Sequence, residues 1–167
     1  MNVGIIGGSD GLGKTLIYYF REEFEVYITG TDHKKGRGVA DKLNVNYIES
    51  NIEIADISDI LVISVPIQYT SDVIREVAPF MKSGSLMVDV TSVKEEPLKT
   101  MQEVLPDTVE YLPTHPIFGP RTTRLDNQVI VLTADKKGEW YRKAYNYLSN
   151  KNMRVIETDR KSTRLNS

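Results

Sequence analysis

The run ILVISV, Ile60 to Val65, stopped by Pro66, constrains the fold more than any other stretch of the chain. Its apolar residues do not alternate with polar ones, so a strand built from them must be covered on both faces, as in a parallel sheet flanked by helices. The remaining sequence supplies the partners. NVGIIG, EVYITG, VNYI, SLMVDV, VEYL, NQVIVLT and MRVIE read as strands. LGKTLIYYFREEF, a segment from about Lys34 to Leu43, SDVIREVAPF, KEEPLKTMQEVL and GEWYRKAYNYLSN read as helices between them. This alternation predicts an α/β fold of Rossmann type, with a doubly wound, mostly parallel sheet. A chain of 167 residues is long enough for one good core, since a domain of about 150 residues buries roughly 70% of its unfolded surface. A single domain over residues 1 to 158 is expected.

Ligands of such sheets bind where the parallel strands present their carboxyl ends. Four loops are therefore expected together on one edge: Gly7 to Gly13, Val65 to Tyr69, Thr91 to Lys94 and Thr114 to Pro120. The first, GGSDGLGKT, admits three readings. From Gly8 it satisfies G-x-x-x-x-G-K-[ST], with Lys14 and Thr15 for phosphate and magnesium and Asp89 as a second metal partner, which is the loop of a nucleotide-triphosphate phosphotransferase. It equally suits a dinucleotide turn. Gly7 or Gly8 makes the bend, Gly11 and Gly13 let backbone approach the diphosphate and helix approach strand, and Ser9 and Leu12 lie between them. Asp10 then stands where the strict G-x-G-x-x-G pattern has its middle glycine. The third reading is a turn without a ligand, in which Lys14 and Thr15 face solvent. A second ambiguous pattern is Tyr147-x-x-x-Lys151, the spacing of short-chain dehydrogenases. Asn150 and Asn152 mark a helix end there, so the spacing reads as chance.

DVTSVK, Asp89 to Lys94, and THPIFGP, Thr114 to Pro120, favour hydride transfer when they occur with the glycine turn and the ISVP strand end. With these four segments in this order, the chain resembles the prephenate dehydrogenases from Asn2 to about Thr158, the NAD(P)-binding half of those enzymes. The resemblance implies oxidative decarboxylation of prephenate to 4-hydroxyphenylpyruvate on the way to tyrosine, with the amino analogue arogenate as the alternative substrate. It implies that His115 accepts a hydrogen bond from the substrate hydroxyl and that Ser92 positions the substrate or the imidazole. Lys94 and Thr114 are the candidate substrate contacts. Residue chemistry agrees on His115, one of only two histidines. An imidazole with an ordinary pKa near 6.5, fixed at a strand end between Thr114 and Pro116, is a neutral acceptor at pH 7.

Cofactor choice rests on ITGTDHKKGR. Gly30 and Thr31 stand where a carboxylate would bind the ribose diol of NAD, and Lys34, Lys35 and Arg37 follow, which favours NADP; Asp32 keeps NAD open. Val65, Pro66 and Thr91 complete the expected cofactor contacts. No metal is expected, since there is no cysteine and histidines are few. A net charge of -2 without blocks of like charge argues against nucleic acid and anionic membranes as partners, and no stretch approaches the ~20 apolar residues of a membrane span. A soluble, cytoplasmic protein is the expectation. An NAD(P)-sensing module without catalysis remains a further possibility. By resemblance, a helical domain that forms a homodimer and closes over the substrate would follow residue 158; DRKSTRLNS, residues 159 to 167, instead reads as a polar tail of non-native character.

Overall fold

The computed structural model describes residues 1–134 and 137–159. Eight strands form one sheet in the order β3-β2-β1-β4-β5-β6-β7-β8. They are β1 (Asn2–Ile6), β2 (Glu25–Thr29), β3 (Asn46–Tyr47), β4 (Ile60–Ile63), β5 (Leu86–Asp89), β6 (Glu110–Pro116), β7 (Val129–Thr133) and β8 (Arg154–Thr158). The first six are parallel, β7 runs antiparallel to β6, and β8 is parallel to β7. The fold is the expected Rossmann-like α/β sheet. The polar tail lies outside the described residues from position 160 onward.

Helices cover both faces, as the ILVISV run requires. One face carries α1 (Gly11–Phe20), α2 (His33–Leu43) and α6 (Glu139–Asn150); the other carries α3 (Asn51–Ile57), α4 (Ile67–Val77) and α5 (Glu95–Val104). In β4, Leu61 and Ile63 pack toward α3 and α4, while Val62 packs toward α1 and α2. All three are buried, and such a side chain stabilises the fold by about 1.5–3 kcal/mol relative to exposure.

The structure departs from the sequence expectations in three larger ways, and α4 also begins at Ile67, so that Ile67 to Tyr69 are helix and not loop. Helix α3 was not anticipated. Its local signal is Ser50-x-x-Glu53, where the Ser50 hydroxyl accepts from the Glu53 amide at 3.2 Å, and it fills the crossover that parallel β3 and β4 need. Helix α1 stops at Phe20 rather than Phe24, because the chain must reverse before Glu25 pairs with Asn2. Third, β6 runs four residues past Leu112, so Thr114, His115 and Pro116 are strand rather than loop. Its first four residues pair only with β5, and its last three only with β7. Each β6 residue therefore serves one ladder, which is why Pro113 and Pro116, lacking an N–H, are tolerated in an interior strand.

Candidate functional site at the carboxyl edge

Ile6, Ile63, Asp89 and Pro113 stand level in the register of β1, β4, β5 and β6. The loops after these positions therefore leave the sheet along one edge, as expected. β6 runs three residues beyond the end of β5, paired there with β7, and His115 stands on that extension.

The glycine turn divides its roles. Gly7 has φ +89°, and a Cβ there would lie 1.9 Å from the Ser64 carbonyl oxygen. A Cβ on Gly13 would lie 2.2 Å from the Gly7 carbonyl oxygen, so helix and turn touch backbone to backbone. Gly8 is tight against Ile28, and buried Ser9 lies under Gly30. Gly11 differs: at φ +52° it faces open space, with nothing within 4 Å of a Cβ. This cradle, with the free N–H groups that begin any α-helix, fits a dinucleotide diphosphate. Half-buried Leu12 packs toward the core, as does Val65; Pro66 precedes α4 and is exposed.

Thr15 does not face solvent. Its buried hydroxyl donates to the Pro120 carbonyl at 2.6 Å, with Gly11 O a longer acceptor at 3.3 Å, and the Tyr19 hydroxyl donates to Thr122 O at 2.7 Å. Helix α1 thus pins the segment that follows His115. These contacts also oppose the triphosphate reading, since the hydroxyl needed for magnesium is committed to protein. Asp89 is equally unsuited to a metal there, being fully buried and bound to Lys94.

Lys94 and Thr114, the expected substrate contacts, are both buried and bonded within the protein. Lys94 is buried, with Nζ 2.5 Å from Asp89 Oδ2; burial pulls its pKa down, and Asp89 opposes the shift. Thr114 points to the opposite sheet face from His115 and donates to the Asp89 carbonyl at 2.7 Å, closing the seam where β6 changes partners. Thr91 binds Asp89 through both its hydroxyl and its amide. Ser92 is exposed at the tip of the turn and does not cap α5, whose N-cap is Lys94. His115 is partly buried. Burial and then the Lys94 charge hold its pKa below 6.5, with Asp89 opposing, so the ring is neutral at pH 7.

At the end of β2, the Asp32 carboxylate caps α2 by accepting from the Lys35 amide at 3.0 Å. Lys35 pairs with Asp10 across the glycine turn, and Arg37 pairs with Glu49 and lies over the Tyr47 ring. Thr31 and Lys34 are exposed. At Tyr147-x-x-x-Lys151, α6 ends at Asn150, Lys151 is bound to Glu23, and burial pushes the Tyr147 phenol up to about 12, opposite to what a catalytic tyrosine needs. An apolar cleft of about 250 Å³ lies elsewhere, between α1 and α6. With no polar groups converging on it, that cleft cannot orient a dinucleotide.

The fold and the glycine cradle define a nucleotide-binding Rossmann domain. Residues 18–157 match the sequence profile of the prephenate dehydrogenase nucleotide-binding domain, and the chain belongs to that family. A probable arogenate/prephenate dehydrogenase of Methanocaldococcus jannaschii is 44% identical over 160 residues, covering 93% of this chain and 36% of that protein. The chain thus spans about a third of that relative. Among solved structures, Aquifex aeolicus prephenate dehydrogenase in complex with hydroxyphenyl propionate and NAD+ superposes with a TM-score of 0.80 at 16% identity, covering 98% of this chain and 61% of the other. Synechocystis arogenate dehydrogenase gives 0.81 at 15% identity, covering 98% and 61%.

Proposed function

We propose that this domain binds NADP and presents His115 as the proton acceptor in the oxidative decarboxylation of prephenate. The observation that carries the reading is the place of His115: its imidazole stands on β6 beyond the level at which β1, β4 and β5 end, at the sheet edge that also carries the glycine cradle. A nicotinamide dinucleotide bound there supplies the hydride acceptor. His115 accepts the proton of the hydroxyl on the ring carbon that loses hydride, Ser92 holds that hydroxyl or the imidazole, and loss of carbon dioxide aromatises the ring. Gly7, Gly8, Gly11 and Gly13 shape the diphosphate cradle, while Val65, Pro66 and Thr91 border the nicotinamide. Arogenate, with an amine in place of the keto group, offers His115 the same hydroxyl.

The preference for NADP rests on the end of β2. Asp32 already accepts a backbone hydrogen bond, and exposed Lys34 stands beside the small Thr31 to meet a 2'-phosphate. The substrate carboxylates call for cationic contacts, and a homodimer is the expected form of a protein of the relatives' full length; residues 1–158 by themselves bind dinucleotide and turn over prephenate barely or not at all. The test is His115→Asn in a protein of the relatives' full length, assayed for prephenate-dependent NADPH formation. Turnover falls by about 10²–10⁴ with cofactor affinity kept; wild-type turnover overturns the assignment.

A further inference from the structure

Asp89 is the one charged group at the site whose side chain is wholly buried. Oδ2 receives three donors: the Lys94 ammonium at 2.5 Å, the Thr91 hydroxyl at 2.6 Å and the Thr91 amide at 3.2 Å. Lys94 also reaches the Thr91 hydroxyl at 3.3 Å, and that hydroxyl lies 2.9 Å from the Val93 carbonyl. The turn bearing Ser92 is thus tied at both ends to one carboxylate oxygen. Oδ1 is buried with no protein hydrogen-bond partner, so all three donors converge on the other oxygen. A buried ion pair of this kind is weak evidence for stability, because desolvation offsets most of its attraction. Its placement points to another use. Asp89 stands level with Pro113 across the β5–β6 ladder, so His115, two residues further on and on the same sheet face, is its diagonal neighbour, with the Lys94 ammonium held on Asp89; across β7 the partner of His115 is the uncharged Val131.

We propose that Asp89 is a positioning residue of this edge: it fastens the turn from Thr91 to Lys94 and sets its negative charge against the Lys94 ammonium in front of His115. Lys94 keeps the imidazole neutral, and Asp89 limits that effect so that the ring retains the basicity to accept a proton. The use made of His115 rests on the dehydrogenase reading; the electrostatic arrangement does not.

The experiment follows the imidazole carbon-bound protons of the 167-residue protein by NMR against pH, without substrate. There are two histidines, and exposed His33 serves as the internal reference, assigned by His33→Gln. Asp89→Asn must move the His115 midpoint down, and Lys94→Met must move it up, each by more than about 0.3 pH unit, with His33 unmoved. The double variant Asp89→Asn/Lys94→Met replaces the pair by neutral groups and must lie below Lys94→Met alone. A purely packing role predicts no such opposed shifts. Midpoints that stay put, or move together, overturn the proposal while leaving the dehydrogenase reading intact. If the single variants do not fold, the double variant is compared with wild type. The midpoint must then rise, because the proposal has Asp89 limit the Lys94 effect and not reverse it; an unchanged or lower midpoint overturns the proposal. Turnover surviving His115→Asn would instead sink the functional reading without touching these titrations.

Discussion

Gly11 and Gly13 are two residues apart and look interchangeable in sequence, yet their surroundings predict opposite failures. A methyl on Gly13 would sit 2.2 Å from the Gly7 carbonyl oxygen, more than an ångström inside ordinary contact. The obstacle is backbone in a turn held at positive φ, so no side-chain rotation can relieve it. Overpacking costs about 1–3 kcal/mol, and so deep an overlap belongs at the upper end; alanine returns about 1 kcal/mol through its helix propensity. Gly13→Ala is therefore expected to lose about 2 kcal/mol of stability, roughly thirtyfold in the folding equilibrium. At Gly11 nothing obstructs a side chain, and the cost is the left-handed φ of +52°, about 1–2 kcal/mol. Gly11→Val consequently stays folded, but its branched side chain occupies the space where the diphosphate must approach, and NADPH affinity falls more than about tenfold, over 1.4 kcal/mol. Urea unfolding by circular dichroism gives the stabilities, and NADPH fluorescence titration gives the affinities. A Gly13→Ala protein as stable as its parent would refute the close-packing argument. Unchanged affinity in folded Gly11→Val would remove this turn from the cofactor site.

In a full-length protein, the acid limb of the kcat/KM profile should have its midpoint below 6.5, because burial and Lys94 depress the His115 pKa and the active neutral form persists to lower pH; a midpoint at or above 6.5 contradicts the assigned environment. Lys34→Glu combined with Lys35→Glu should weaken NADP much more than NAD in parallel titrations, and equal losses would make both lysines bystanders. Thr15→Val keeps the side-chain shape but strips the Pro120 carbonyl of its 2.6 Å donor, so urea unfolding should show a loss of about 1–2 kcal/mol; an unmoved midpoint would mean that water replaces the bond without penalty.

Much of the fold was legible because burial on two faces leaves a compositional mark. Leu61, Val62 and Ile63 could only be a central parallel strand, and once β4 is central the loops must share an edge. Helix α3 was missed because seven residues hold barely two turns, too few for an apolar period, although Ser50 and Glu53 did mark its start. The extent of β6 was hidden by Pro113 and Pro116, which normally argue against an interior strand. They are admissible only because β6 exchanges β5 for β7 midway, and that exchange depends on where residues 129–133 return.

The site was legible where function dictates backbone geometry and opaque where it dictates pairing. Glycines at 7, 11 and 13 announce a turn because other residues would be strained or too large, and His115 stands out because an imidazole beside two prolines has few structural uses. A lysine carries no such mark. Lys94 reads as a solvated cation or a substrate contact, since lysine is rarely buried unless paired, and its partner five residues back reads simply as the end of a strand. What joins them is the register: Asp89 shares its sheet face with Met87, and the chain turns tightly enough after β5 for the ammonium to fold back onto it. The same register sends Thr114 to the far face and His115 to the near one. A one-residue slip of β6 would exchange the two, placing a hydroxyl where the imidazole now stands. The seam between β5, β6 and β7 is therefore as much a part of the site as the histidine it orients.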